Sequence, residues 1–168
     1  MEIATRFLSA RPRSRWEIER RLARASVSES VIRSTVERLA ELGYADDLSF
    51  ARWWAEQRDR HAPRGRRLLE AELRRQGVPR EVVEEVRDEI DSPERAPEDE
   101  DLPGSELERA DDALRRHLRG RSLPDDSRAL QRIGMYLMRR GFDASTTRAA
   151  IGALADPEAK DDATGRPD

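Results

Sequence analysis

The stretch LRRQGV, Leu73 to Val78, decides how the rest of the chain is read, because its grammar occurs twice more. Leu22 to Val27 reads LARASV and Leu137 to Phe142 reads LMRRGF, so all three fit Leu-x-Arg-x-(Gly or Ser)-apolar. Gly77 follows an amphipathic run and stands two residues before Pro79. That is the pattern of a helix ending in a left-handed residue, with proline opening the next helix. Gly141 repeats the pattern, and Ser26 is a poorer substitute because its Cβ disfavours that backbone. Val27, Val78 and Phe142 then re-enter the core.

The register extends beyond the turns. Setting Leu22 on Leu73 also sets Val27 on Val78 and Leu39 on Ile90; setting Leu137 on Leu73 sets Phe142 on Val78 and Leu154 on Ile90. In the first copy, Ser14-x-x-Glu17 forms a capping box that opens a helix over 15–24, with Trp16, Ile18 and Leu22 as its apolar stripe. The next helix begins after Ser28 as N-cap, with Val27 and Ile32 as a hydrophobic staple. Val31, Ile32, Thr35, Val36 and Leu39 follow the helical period, and Gly43 stops the run. In the second copy Leu68, Leu69 and Leu73 line one helix and Val82, Val83, Val86 and Ile90 the next. Each pair is preceded by a further helix, over 3–9, 48–58 and 107–118.

The expected fold is all-α: three tandem three-helix, helix-turn-helix-like repeats of about 45 residues, stacked into an elongated curved array. The expected domains are repeat one over 1–46, repeat two over 47–90, an acidic flexible linker over 91–106, repeat three over 107–155 and a disordered acidic tail over 156–168. Charge supports these divisions. Residues 1–87 carry 19 basic and 15 acidic groups, 88–106 carry 1 and 9, 107–155 carry 10 and 6, and 156–168 carry 2 and 5. The linker DSPERAPEDEDLPGSE also holds three prolines and a glycine, which oppose both helix and packing. An acidic segment between two basic bodies is expected to compete with DNA for them.

Composition excludes several classes of chemistry. The chain is 36% hydrophobic and 40% charged, so its core is thin and its helices carry wide solvated faces. With no cysteine there is no disulfide, thiol nucleophile or thiolate metal site. His61 and His117 stand apart from any second histidine at metal-ligand spacing and from any triad context. No apolar run reaches membrane-span length and the N-terminus lacks a signal-peptide core, so the expected compartment is the cytoplasm. The expectation is a monomer that is not an enzyme and needs no cofactor or metal.

A helix-turn-helix raises the question of DNA reading, in which the later helix enters the major groove and presents basic or amide side chains. Here the later helices expose Glu29, Arg33, Glu37 and Arg38, then Glu81, Glu84, Glu85, Asp88 and Glu89, then little beyond Arg148. Major-groove reading is disfavoured. The cations gather on the earlier helices and the loops ahead of them: Arg58, Arg60, Arg64, Arg66, Arg67, Arg74 and Arg75, then Arg128, Arg132, Arg139 and Arg140. Such groups contact phosphates without reading bases. Arg24, Arg75 and Arg139 also fall in the last turn of a helix, where the macrodipole favours a cation. Of the 32 basic residues only Lys160 is lysine, so abundant arginine points to no particular contact. In GYADDLSFARWWAEQR, Gly43 to Arg58, Asp46 or Asp47 caps the following helix, and Phe50, Trp53, Trp54 and Gln57 form a packing stripe.

Taken in order, Ser14-x-x-Glu17-Ile18-x-x-x-Leu22, Gly43-Tyr44-x-Asp46-Asp47-x-x-Phe50-Ala51, Arg58, Gly65, Glu72-Leu73-x-x-x-Gly77-Val78 and Leu137-x-x-Arg140-Gly141-Phe142 closely resemble the RecX family of bacterial recombination regulators. The resemblance runs from about residue 4 to 154. It implies three tandem three-helix repeats lying as an arc in the groove of the RecA filament on DNA. There such a protein limits filament extension or promotes disassembly, restraining ATP hydrolysis, strand exchange and coprotease activity in DNA repair and the SOS response. The family motif residues Gly43, Tyr44, Asp46, Asp47, Phe50, Gly65, Gly77, Gly141 and Phe142 are then structural. The implied partners are the RecA filament and, weakly and without sequence preference, DNA. The candidate partner-facing residues are Arg58, Arg64, Arg66, Arg67, Arg74, Arg75, Arg128, Arg132, Arg139 and Arg140. The long acidic insertion departs from the family pattern. Two other readings stay open, a stand-alone sequence-nonspecific DNA-binding protein and a helical-repeat adaptor.

Overall fold

The structure, a computed structural model, describes residues 2–91 and 103–155. The expected linker over 91–106 lies mostly outside the described residues and the tail over 156–168 wholly so. Among the described residues there are nine helices and no strand. They are α1 (Glu2–Leu8), α2 (Arg15–Arg24), α3 (Glu29–Glu41), α4 (Asp47–His61), α5 (Arg66–Arg75), α6 (Arg80–Asp91), α7 (Glu106–Leu118), α8 (Ser127–Arg139) and α9 (Ala144–Ala155).

The recurring turn is one hydrogen-bonded structure used three times. The amide of Val27 donates to the carbonyl of Leu22 at 3.2 Å, that of Val78 to Leu73 at 3.2 Å, and that of Phe142 to Leu137 at 3.3 Å. One residue earlier, Ser26, Gly77 and Gly141 donate to Ala23, Arg74 and Met138, each at 3.0 Å. This pair of bonds satisfies the last carbonyls of a helix and demands a left-handed residue, here with φ of 58°, 74° and 93°. The three leucines are buried, as are Val78 and Phe142, while Val27 is half-buried. Each buried leucine contributes about 1.5 to 3 kcal/mol relative to exposure.

The described chain divides into two compact units. The first holds the residues up to Gln57 together with Glu70–Glu89. In it α2 packs on α1 and α3 around Ala4, Ile18, Leu22, Val36, Leu39 and Ala45. Ser14 closes the expected capping box with Glu17, and its hydroxyl donates to the Gln76 carbonyl at 2.5 Å. Phe50, Trp53 and Trp54 lie with ring centres 5.7 to 6.3 Å apart, and the Trp54 indole N–H donates to Glu72 at 3.1 Å. The aromatic stripe of α4 is therefore packing.

The second unit holds Arg58–Leu69 with the described residues from Ile90 onward. Here α9 lies chiefly along α7, and α8 packs on both around Ala110, Ala113, Leu114, Leu118, Ile133, Leu137, Phe142 and Ala150. The turn between α4 and α5 joins this unit because the Gly65 amide donates to the Arg140 carbonyl at 2.9 Å. A Cβ at Gly65 would fall under 3.0 Å from the backbone of Gly141 and Phe142.

Several expectations are corrected. Val31, assigned to the apolar stripe, is 49% exposed, because it sits at the stripe's edge. Ser28 has N-cap backbone geometry, but its hydroxyl makes no capping bond and faces Ser30 instead. The first helix of repeat two continues past residue 58 to His61. Tyr44 is 62% exposed, so its ring is no part of the core; its amide closes the α3 turn on the Leu39 carbonyl at 2.8 Å.

Candidate functional site

Asp46 and Asp47, adjacent in sequence, take opposite parts. Asp46 caps α4, accepting from the amides of Leu48 and Ser49 at 3.0 and 3.3 Å and from the Ser49 hydroxyl at 2.6 Å. The Ser49 hydroxyl bond is the main reason its carboxyl lies below the usual range. Asp47 is buried, and that desolvation raises its pKa even though it accepts from the Arg15 amide at 2.9 Å. Both carboxylates are thus engaged by donors of the chain itself, and Phe50 and Phe142 are buried.

The ten candidate arginines separate by what holds them. Arg66 lies 3.8 Å from Glu106 and 4.0 Å from Asp143, and its amide donates to Glu106 at 3.1 Å. Asp143 is tied down in turn by the Ser145 hydroxyl and the Thr146 amide, which hold its pKa at about 2. Arg140 donates to the Pro63 carbonyl at 3.3 Å and lies 5.0 Å from the Tyr136 ring centre. Arg58 and Arg64 are half-buried, and Arg74 is paired with Glu70 at 3.0 Å. These residues are committed to the fold to varying degrees.

Arg67, Arg75, Arg128, Arg132 and Arg139 are different. All five side chains are exposed and have no hydrogen-bond or ion-pair partner among the described residues. Arg75 ends α5 in the first unit, whereas the other four belong to the second. On α8, Arg128, Arg132, Met135 and Arg139 recur at i, i+4, i+7 and i+11 and form one exposed stripe about 16 Å long. Gln131 and Met138 flank it, and both methionines are 48% exposed. Asp126 caps the helix through the Ala129 amide at 2.9 Å, while Ile133 and Leu137 fix the opposite face in the core. The stripe thus carries three uncompensated cations around a deformable apolar centre. Cations of this kind bind phosphate or carboxylate, and methionine adapts to an apolar protein surface.

The later helices offer nothing comparable. On α3, Arg33 pairs with Glu29 and Arg38 with Glu41; on α6, Arg80 pairs with Glu84 and Arg87 with Asp88. The cations of these two helices are balanced on their own helix, and α9 carries the single arginine Arg148. Arg116, Arg119 and Arg121, around the end of α7, lie outside the ten candidates, although Arg119-Gly120-Arg121 is a recognisable helix-terminal pair of cations.

Comparisons with known proteins bear on this architecture. The first three-helix domain of RecX matches residues 1–39, the second 46–86 and the third 105–151. The regulatory protein RecX of Mycobacterium avium (strain 104) is 36% identical over 141 residues, covering 83% of this chain and 75% of its own. That of Mycobacterium leprae (strain Br4923) is 33% identical over 145 residues, covering 86% of this chain and 78% of its own. The crystal structure of RecX from Lactobacillus salivarius is similar with a TM-score of 0.71 at 18% identity, over 90% of this chain and 92% of that one. A second crystal structure, of regulatory protein RecX, gives 0.68 at 17% identity over 88% of this chain and 70% of that one. At such identity these two structures speak for the fold.

Proposed function

Because this chain belongs to the RecX family, we propose that it is a negative modulator of the RecA recombinase. In this reading it binds in the groove of the RecA–DNA filament, limits extension or promotes disassembly, and so restrains ATP hydrolysis, strand exchange and coprotease activity. It acts without catalysing a reaction.

The observation that carries the reading to particular residues is the α8 stripe of Arg128, Arg132 and Arg139 around Met135, exposed and without an internal counter-charge. A filament groove presents phosphates and protein surface together, and a stripe mixing cations with methionine suits both. Arg67 and Arg75 supply further unpaired charge. The test is addition of the purified protein to preformed RecA filaments during ATP hydrolysis. The rate should fall at substoichiometric amounts. Replacing Arg128, Arg132 and Arg139 with glutamate should relieve the inhibition while circular dichroism stays unchanged, and undiminished inhibition removes the face assignment. The second reading is a stand-alone sequence-nonspecific DNA-binding protein, favoured by the same unpaired charge. Tight binding to DNA alone, with a salt slope implying many released counterions, would support it.

A further inference from the structure

Arg119 occupies a conformation that arginine rarely adopts. It ends α7 in the left-handed region with φ 51°, directly before Gly120 at φ 79°. A side chain is disfavoured there, whereas glycine accepts the backbone readily. The Arg119 side chain is exposed and has no partner among the described residues. It lines a cleft of about 450 Å³ with Arg116, Arg121, Arg140, His117 and Tyr136. No aspartate or glutamate lines this cleft.

The remaining groups are arranged in two ways. Arg116 and Arg140 are fixed: Arg116 donates to the Arg60 carbonyl at 2.8 Å and pairs with Asp112, while Arg140 is held on the Pro63 carbonyl. Arg121 donates through Nε to the Leu118 carbonyl at 3.1 Å, covering part of the negative helix end and leaving its terminal nitrogens for another acceptor. The His117 ring is stacked on Tyr136 with centres 3.9 Å apart and an angle of 21°, and His117 is otherwise exposed. Unpaired guanidinium forks beside a solvent-facing ring are what a nucleic acid strand requires, phosphate on the cations and base on the ring. The volume falls in the range of pockets that hold a nucleotide-sized ligand.

We infer that this cleft binds single-stranded nucleic acid, Arg119 and Arg121 holding a phosphodiester and the outer face of His117 taking a base. The site is separate from the α8 stripe and does not require a recombinase.

The test is fluorescence anisotropy of a labelled oligo-dT with the full chain and no recombinase present, titrated across salt. Arg119→Gly should leave the thermal midpoint unchanged or raised, since glycine suits the backbone, yet weaken strand binding at least about fivefold. With Arg121→Gln added, the slope of log K against log salt should flatten by about 1.4, the value for two lost phosphate contacts on a single strand. His117→Ala should cost about fivefold or more through lost stacking. Arg148→Gln, which removes an exposed, unpaired arginine outside the cleft, should change affinity less than twofold. The inference is overturned if the double variant loses no more than Arg148→Gln does. It is also overturned if ATP or inorganic phosphate at matched ionic strength displaces the strand at micromolar concentration, which would make the cleft a free-phosphate site. Because no recombinase is present, failure here removes the cleft and leaves the proposed regulation untouched.

Discussion

Gly65→Ala tests the packing that holds the second unit together. Gly65 is buried, its amide donates to the Arg140 carbonyl at 2.9 Å, and its carbonyl accepts from Leu68 and Leu69 at 3.1 Å, so it caps α5. The approach is reciprocal, since a Cβ on Gly141 would stand 2.5 Å from the Leu68 Cβ and amide. A methyl on Gly65 meets backbone, which cannot rotate away as a side chain would, and the two segments must part by about 1 Å to reach ordinary contact. Overpacking of this kind costs about 1 to 3 kcal/mol. Parting the segments also strains the Gly65–Arg140 bond, and an unsatisfied buried carbonyl costs about 1 to 3 kcal/mol more. The reduced freedom of the unfolded chain returns about 0.4 to 1 kcal/mol. The net is a loss of about 1 to 5.6 kcal/mol, centred near 3, a large share of the roughly 5 to 15 kcal/mol available to a folded domain. Gly43→Ala is the control: φ is 76° but nothing lies within 4 Å of its Cβ, so only the backbone term of about 1 kcal/mol applies. Urea denaturation followed by circular dichroism compares the two, and a Gly65→Ala cost no larger than that of Gly43→Ala refutes the close-approach account.

Ser26→Gly should stabilise the chain by about 0.5 to 1 kcal/mol in the same assay. Relief of the left-handed strain at φ 58° exceeds the added freedom of the unfolded chain. Ser14→Ala should cost about 2 to 3 kcal/mol, because it removes both the α2 cap and the partner of the Gln76 carbonyl. Asp143, held at about 2, stabilises the fold above its unfolded value near 3.8 and loses that contribution as pH falls from there toward 2. Reduced for solvent screening this is about 1 kcal/mol, so wild type should lose about that much more than Asp143→Ala over the window in pH-dependent melts. Met135→Glu places a carboxylate three residues after Arg132 and four before Arg139. It should add about 0.2 to 0.5 kcal/mol per pair while weakening filament inhibition, and inhibition that survives intact would count against the stripe.

The elements legible in the sequence are those fixed by neighbouring residues. The recurring turn is readable because its two hydrogen bonds fall within six residues and constrain φ at one of them. The Ser14–Glu17 box was readable for the same reason. Val31 was misplaced because helical periodicity locates the centre of a stripe better than its edge, and Val31 lies roughly 80° around the helix from Leu39. The candidate arginines divided for a different reason. Arg66 and Arg67 are adjacent, yet Arg66 meets Glu106 and Asp143 across 40 and 77 residues while Arg67 meets nothing described. Contacts that distant leave no periodic trace in a single chain.

One part of the charge pattern does follow from local sequence. Paired helices supply their own counter-charge at helical spacing: Glu29 for Arg33, Glu70 for Arg74, Glu84 for Arg80, Asp111 for Arg115 and Asp112 for Arg116. In SRALQRIGMYLMR, the whole of α8, there is no carboxylate at all. Its three arginines therefore cannot be neutralised along their own helix, and the apolar face opposite faces the core. Arg119 and Arg121 escape neutralisation differently, because they lie past the end of α7, where the i,i+4 geometry that pairs Arg115 and Arg116 no longer exists. In a chain where arginine is abundant, the informative arginine is thus the one whose helix withholds a partner.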